Sequence, residues 1–295
     1  MPAPPSPARA HLTVTAGAPR SQQWHAVEVS RIRALTPTVR LLRLRPLGPS
    51  EGAAAAKCAE GLQDLDFCPL HLHLGFQAGQ WIDCAIPGVR EVGGYSLVSD
   101  PALAATHVDI AVKRARHPPA AWLHSPAAIP GSLLAVRVGG AFTLAALPRP
   151  YPHLLLLAGG VGINPLYCML LELAGAPLHA SQPLPRRIDL VYCVREAEEV
   201  LFAAELRALE GGALAGRLRV HLLVTAPAPA PAHAAAVMAS TREARAALVT
   251  GLARSAAPGG VGVLLCGPPA FSDALGALLA AAGVPAGDVH CEKWW

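Results

Sequence analysis

Along the first half of the chain, apolar residues recur at every second position in short runs. His25-Ala-Val-Glu-Val-Ser-Arg-Ile, Val39-Arg-Leu-Leu-Arg-Leu-Arg, Leu72-His-Leu-Gly-Phe, Gln80-Trp-Ile-Asp-Cys-Ala-Ile-Pro, Val108-Asp-Ile-Ala-Val-Lys-Arg and Leu133-Leu-Ala-Val-Arg-Val are separated by turn residues. Such alternation gives a strand one buried and one solvated face, so these runs predict six antiparallel strands, and six at this length predict a closed barrel. An alanine-rich, mildly acidic stretch from Pro49 to Pro69 interrupts the series and reads as a surface loop.

After Pro150 the period changes. Apolar runs at Leu154–Ala158, Ile188–Val194, Leu218–Val224, Val261–Leu265 and near Val289 read as strands. Helical spacing follows from Pro165 and recurs over Glu198–Leu209, Arg242–Ala253 and Phe271–Ala282. Strands alternating with helices predict a doubly wound parallel sheet. The expected organisation is a leader over residues 1–23, a β-barrel over 24–150 and an α/β domain over 151–295. The low-complexity run from Ala226 to Ala236 reads as a mobile spacer with no catalytic role.

Composition narrows the classes. With 53% apolar and 15% charged residues the chain reads as globular, and 295 residues suit two domains. A net charge of +4 and 5% aromatic residues argue against a nucleic-acid surface and suit a small anionic ligand. No apolar stretch is long enough to predict a membrane span. The seven cysteines are odd in number and scattered, without Cys-x-x-Cys spacing, and read as reduced thiols of an intracellular protein. The twelve histidines show no paired metal spacing, so no metal is expected. Arg9 and Arg20 in an acid-free leader are compatible with a transit segment for a mitochondrion or other organelle; the prolines at 2, 4, 5 and 7 equally suit a plain disordered leader.

The densest chemical signal is Leu154-Leu-Leu-Leu-Ala-Gly-Gly-Val-Gly-Ile-Asn-Pro-Leu166, an apolar strand running through clustered glycines into a helix start. Gly159, Gly160 and Gly162 would let backbone N–H groups approach a pyrophosphate at the positive end of a helix dipole. Asn164 has the chemistry of an N-cap and Pro165 suits the first helical position. A tight strand-to-helix turn accounts for the same glycines. No Gly-Lys-Ser/Thr follows, and Gly-Gly-Val-Gly is not Gly-x-Gly-x-x-Gly, which excludes the two commonest phosphate motifs. Three further segments draw attention: Gly93-Gly-Tyr-Ser, pairing an aromatic face with a hydroxyl; Cys266-Gly-Pro-Pro, ending a strand at a carboxyl edge; and the terminus Cys291-Glu-Lys-Trp-Trp295. Sheet packing, a plain strand-to-helix loop and a packed terminus are their bland readings.

In this order, Gly79-Gln-Trp, Tyr95-Ser96, Gly159-Gly160-Val161-Gly162-Ile163-Asn164-Pro165, Cys266-Gly267-Pro268-Pro269 and an aromatic end resemble the ferredoxin-NADP⁺ reductase-like flavoprotein superfamily over residues 24–295. His117-Pro-Pro-Ala-Ala-Trp and Glu292-Lys-Trp-Trp look like its oxidoreductase NAD-binding domain-containing members. The resemblance implies a flavin (FAD) on the barrel, with Tyr95 stacked on its ring and Ser96 donating near N5. It implies NAD(P)H, NADH in preference, on Gly159–Pro165. Cys266 and Glu292 would flank the reacting rings beside Gly267 and Pro268, and Trp294 or Trp295 would cover the flavin. Electrons would pass to a small-molecule or redox-protein acceptor.

Two departures stand out. Such proteins commonly carry Arg two residues before the Tyr, where it binds a flavin phosphate, and this chain has Gly93. The second flavin-phosphate loop corresponds to His117-Pro118-Pro119-Ala120-Ala121, with Arg90, Lys113, Arg114 or Arg116 as nearby substitutes. They motivate an alternative, a non-catalytic or regulatory nucleotide-binding protein with a degenerate flavin site.

Overall fold

The computed structural model describes residues 11–63, 65–68, 74–175, 183–225, 237–239, 241–255 and 260–293. The elements run α1 (His11–Val14), β1 (His25–Ala34), β2 (Val39–Pro46), α2 (Gly52–Glu60), β3 (Trp81–Ala85), β4 (Gly93–Ser96), β5 (Val108–Lys113), α3 (Pro118–Leu123) and β6 (Leu133–Gly139). The second half runs β7 (His153–Gly159), α4 (Ile163–Gly175), β8 (Arg187–Val194), α5 (Ala203–Gly211), β9 (Leu218–Val224), β10 (Val237–Ala239), α6 (Arg242–Arg254), β11 (Val261–Cys266), α7 (Pro269–Ala281) and β12 (Val289–Glu292).

The first sheet is antiparallel, in the order β4-β3-β6-β1-β2-β5. Its two edges meet through an antiparallel bridge between Leu97 and Ile110 and the bond from Val98 N–H to the Asp109 carbonyl, which close the predicted barrel. Five of the six expected strands are in place. The run at Leu72–Phe76 is not one of them: residues 71–73 lie outside the described residues, and Leu74 to Phe76 form no strand. The sixth strand is β4, whose two glycines conceal it from any alternation analysis. The expected loop at 49–69 is also corrected. Gly52–Glu60 is helical because its alanine run has high intrinsic helix propensity, and it buries Cys58 beside Trp24 and Leu47.

The expected leader needs revision from residue 11 onward. His11 Nε2 lies 2.7 Å from Asp83 Oδ1, Ser21 N–H bonds to the Val138 carbonyl, and Arg20 bridges Gly139. Residues 11–24 therefore form a strap across the outside of β3 and β6. There Trp81 and Asp83 are buried, although both point out of the barrel.

The second sheet is parallel, ordered β10-β9-β8-β7-β11-β12. Its predicted strands and helices form as expected, except that α5 begins at Ala203. A short 3-10 turn at Ala197–Glu199 and a left-handed Phe202 (φ 58°) occupy the positions before it. The Phe202 ring stacks on Tyr167 of α4 at 4.2 Å, which fixes that unusual backbone. The Ala226–Ala236 spacer lies outside the described residues.

One buried apolar cluster runs through both halves, from Val27 and Ile82 in the barrel to Leu156, Leu166 and Leu190 in the α/β domain. Polar ties cross the same seam: Asn164 Nδ2 to the Ala111 carbonyl (2.8 Å), Cys168 Sγ to the Ser99 carbonyl (3.1 Å) and Lys113 Nζ to Glu199 (3.0 Å). The cleft between the halves is thus held by packing as well as by chain connectivity.

Candidate active-site cleft

The carboxyl ends of β7 and β11 face the β4–β5 edge of the barrel across a cavity of about 520 Å³. Its walls bring together Tyr95 and Ser96 from the barrel, Gly159 to Gly162 from the turn after β7, and Cys266 to Pro269 from the turn after β11. Three segments that are far apart in sequence, and that were singled out separately, therefore border one space at the carboxyl edge of a parallel sheet.

The glycines have separate tasks. A Cβ on Gly162 would lie 2.2 Å from the Cys266 carbonyl oxygen, and one on Gly159 would lie 2.9 Å from the Phe271 ring. These two let the turns after β7 and β11 touch. Gly160 has φ +55°, a left-handed value that favours glycine, and a Cβ there would meet nothing within 4 Å. It turns the chain while leaving the backbone open to the cavity.

Asn164 is not the N-cap that its residue type suggested. A 3-10 turn over Gly160–Gly162 leads the chain into α4, so Asn164 lies inside the first helical turn and spends its amide on Ala111 of β5. Its Oδ1 is buried at the cavity wall without a hydrogen-bond partner among the described residues. Pro165 also lies in the first turn, where its missing N–H costs nothing. Val161 lines the cavity, whereas Ile163 is buried in the core behind it.

Tyr95 lines the cavity with its ring folded back over Gly93. A Cβ at Gly93 would lie 2.7 Å from both Cε2 and the hydroxyl oxygen of that ring. The hydroxyl is buried with no partner among the described residues, and burial holds the phenol well above its ordinary pKa. Ser96 is buried beside it on the cavity wall.

Cys266 is buried at the end of β11 and pairs in register with Glu292 on β12. The Glu292 carboxylate accepts a hydrogen bond from the Trp81 side chain, so it lies on the seam one strand over from Cys266. Burial lifts its pKa to about 7, against the lowering effect of the Trp81 bond. Trp294 and Trp295, expected as a flavin cover, lie outside the described residues.

Sequence reasoning missed part of the wall. His11 reaches the cavity from the strap and has no counterpart in the sequence reading, whereas His117 at the start of α3 and Lys113 at the end of β5 are the expected phosphate-loop residue and its nearby substitute. Arg90, Arg114 and Arg116 are not on the wall. No described Asp or Glu lines the cavity, so its ionisable lining is basic apart from Tyr95 and Cys266.

Comparison with known proteins gives the family and the fold. The oxidoreductase NAD-binding domain family matches residues 156–276, which span β7 to α7. The zebrafish (Danio rerio) oxidoreductase NAD-binding domain-containing protein 1 is 33% identical over 290 residues, covering 97% of each chain. Among solved structures, a ferredoxin NADP⁺ reductase from Neisseria gonorrhoeae with bound FAD and NADP superposes with a TM-score of 0.67 at 16% identity. That match covers 93% of this chain and 100% of the other. The flavohem-like FAD/NAD-binding domain of a Vibrio cholerae nitric oxide dioxygenase gives 0.65 at 21% identity, over 91% and 97%. The two structures establish the ferredoxin reductase-like fold, in which a barrel precedes a parallel nucleotide-binding sheet. With near-complete coverage at one-third identity to the zebrafish protein, the chain belongs to the family of oxidoreductase NAD-binding domain-containing protein 1.

Proposed function

We propose that this protein is an NAD(P)H-dependent flavin oxidoreductase that passes electrons from nicotinamide, through a flavin on the barrel, to a small-molecule or redox-protein acceptor. One observation carries the reading: a single basic-walled cavity joins Tyr95 and Ser96 to the glycine turn and to Cys266. Proteins of the same fold hold FAD and NADP together, as the Neisseria reductase does.

The residues present fit both groups. For the nicotinamide nucleotide, Gly160 keeps backbone open to a pyrophosphate at the start of α4, and Gly162 allows the Cys266 turn to close beside it. For a flavin, Tyr95 offers an aromatic face, Ser96 a hydroxyl, His117 an imidazole and Lys113 an ammonium that a phosphate would share with Glu199. A bound flavin would supply the conversion between hydride and single-electron transfer, which no side chain provides. The chain's share is to hold the two rings together and keep water out of the seam. The loop after β8 favours NADH, because Arg195 is followed by Glu196, Glu198 and Glu199 and a 2′-phosphate would meet net negative charge.

Gly93 favours a second reading, nucleotide binding without a flavin, since the space beside it is filled by the Tyr95 ring. An absorbance spectrum of the purified protein, before and after anaerobic NADH addition, decides between them. Flavin bands that bleach with NADH support the oxidoreductase. Tight NADH binding with no flavin bands and no dye reduction, even after FAD is supplied, supports the alternative.

In this reading Glu292 holds a proton at the seam. Its carboxyl, lifted to about 7, lies off the cavity wall beside Trp81, so ionising it puts a charge at the edge of the site, and NADH-driven dye reduction is expected to fall as the pH rises through 7. Glu292→Gln should flatten that inflection. The stability sign is equally definite. A carboxyl raised when folded favours the folded state below its ordinary value of 4.5, and that contribution disappears as the pH climbs through 7. The Gln variant should therefore match the wild type in acid and melt at a higher temperature above pH 7. Parallel melting curves at every pH would reject the assignment.

A further inference from the structure

His11 does not belong to either set of motifs, yet it lines the cleft. It stands in α1, on the strap, 72 residues from the carboxylate that steers it. Its Nε2 is 2.7 Å from Asp83 Oδ1, and its ring meets Trp81 edge-on with centroids 4.9 Å apart. Beneath it is Gly94: a Cβ there would fall between 2.1 and 2.5 Å from three atoms of the imidazole. The glycine of β4 is thus a seat for a histidine delivered from outside the barrel.

The charge around that seat favours an anion. Asp83 is fully buried and contacts Arg20 at 3.3 Å and Arg137 at 2.6 Å as well as His11, so the two arginines outweigh its single negative charge, and the next carboxyl, Glu292 bonded to Trp81, is pushed toward its neutral form by burial. Lys113, ion-paired with Glu199, and His117 complete a wall on which no described carboxylate lies. The imidazole is part of that wall and does not plug the space, because the cavity of about 520 Å³ stands open with His11 in place.

Register says which end of a ligand it would meet. Gly94 and Ser96 share a face of β4, opposite Asp83 and Trp81 of β3. Two residues along a strand span about 7 Å. His11 therefore stands about one strand repeat from the hydroxyl expected at the flavin ring, a separation that suits the polar tail of a flavin nucleotide rather than the ring atom that Ser96 would meet.

We propose that His11, seated on Gly94 and steered by Asp83, is a binding residue for the phosphate of a flavin nucleotide held against Tyr95 and Ser96. The inference rests on the flavin reading given above. It assigns the strap a task in ligand binding, and it provides an imidazole near the position where Gly93 offers no side chain.

The test compares FAD with riboflavin, which lacks phosphate, by fluorescence titration of the wild type, His11→Ala, His11→Gln, Gly94→Ala and the His11→Ala/Gly94→Ala double variant. Loss of a charge-assisted contact is expected to weaken FAD binding by about tenfold or more, with riboflavin binding within about twofold of wild type. Gly94→Ala, which evicts the imidazole without altering it, should show the same selective loss. The double variant should be no worse than either single one, because both remove one contact. His11→Gln can keep the bond to Asp83, so a folded Gln variant with the same FAD loss covers the case in which His11→Ala unfolds. NADH titration should be unchanged throughout. Wild-type protein that binds neither flavin would overturn the flavin reading and this inference with it. Wild type that binds FAD, with His11 variants that bind it equally or more tightly, would overturn the inference alone; tighter binding would mark the strap as a plug.

Discussion

Replacing Gly162 by alanine is expected to weaken NADH binding by about a hundredfold, the scale on which displacing a site by roughly 1 Å acts. The new methyl group would begin 2.2 Å from the Cys266 carbonyl oxygen, 2.5 Å from its carbonyl carbon and 2.8 Å from the Gly267 nitrogen. All three are backbone atoms, so no rotamer change relieves the clash and the turns after β7 and β11 must part. Both turns are cavity wall, and separating them moves the phosphate cradle away from Cys266. Gly160→Ala is the matched control. Its methyl meets no protein neighbour and stands only in the pyrophosphate approach, with the cost of a left-handed backbone, about 1–2 kcal/mol, added. Calorimetric NADH titration, with urea unfolding to confirm that both variants are folded, should rank Gly162→Ala far below Gly160→Ala. Equal affinities would show that contact between the turns does not shape the site.

Much of this arrangement was legible in the sequence, for local reasons. Strands β1, β2, β5 and β6 declare themselves through alternation, and β7 and β11 through unbroken apolar runs that end in glycine or Gly-Pro. Those endings put Gly159–Gly162 and Cys266–Pro268 at the carboxyl edge of one parallel sheet. What escaped depends on partners distant in sequence. Strand β4 has two glycines in four residues and becomes a strand only by pairing with β3 and closing on β5 near Leu97. The alanine run of α2 is flanked by prolines and reads as a loop, although its helix propensity is the better guide. Asn164 has the side chain of a cap, but the carbonyl of Ala111 in the other domain claims it. His11 had no local signal at all, since Asp83, Trp81 and Gly94 meet it only after the barrel forms. The one hint was Gly94 itself, a glycine at a strand position that no turn requires.

Removing the Asp189 side chain should be among the most destabilising single changes in the α/β domain, and it should leave the cleft intact. Asp189 lies near the amino end of β8, the opposite edge of the sheet from Gly159 and Cys266, and its side chain is fully buried. One oxygen receives His153 Nε2 at 2.9 Å and the Arg187 guanidinium, and the other receives His221 Nε2 at 2.8 Å. These bonds tie β7, β8 and β9 together below the core. Burial alone would raise the carboxyl pKa, but the bonds from His153, His221 and Arg187 outweigh it and hold the group far below the usual carboxylate range. Asp189→Ala abandons three donors, of which His153 is nearly as buried as the carboxylate, and a loss of about 3–5 kcal/mol is expected. The pH sign follows from the depressed value. The carboxylate stabilises the fold above the unfolded-state value near 4, and its contribution drains away as the pH falls below that. The gap between wild type and variant should therefore hold from pH 7 to about pH 4 and begin to narrow below it, as read by urea midpoints down to about pH 3. NADH affinity of the folded variant should remain within about twofold of wild type, because the cluster and the cradle occupy opposite ends of the same strands. An unchanged urea midpoint at pH 7 would mean that the three donors find solvent without cost and that β7, β8 and β9 need no ionic tie.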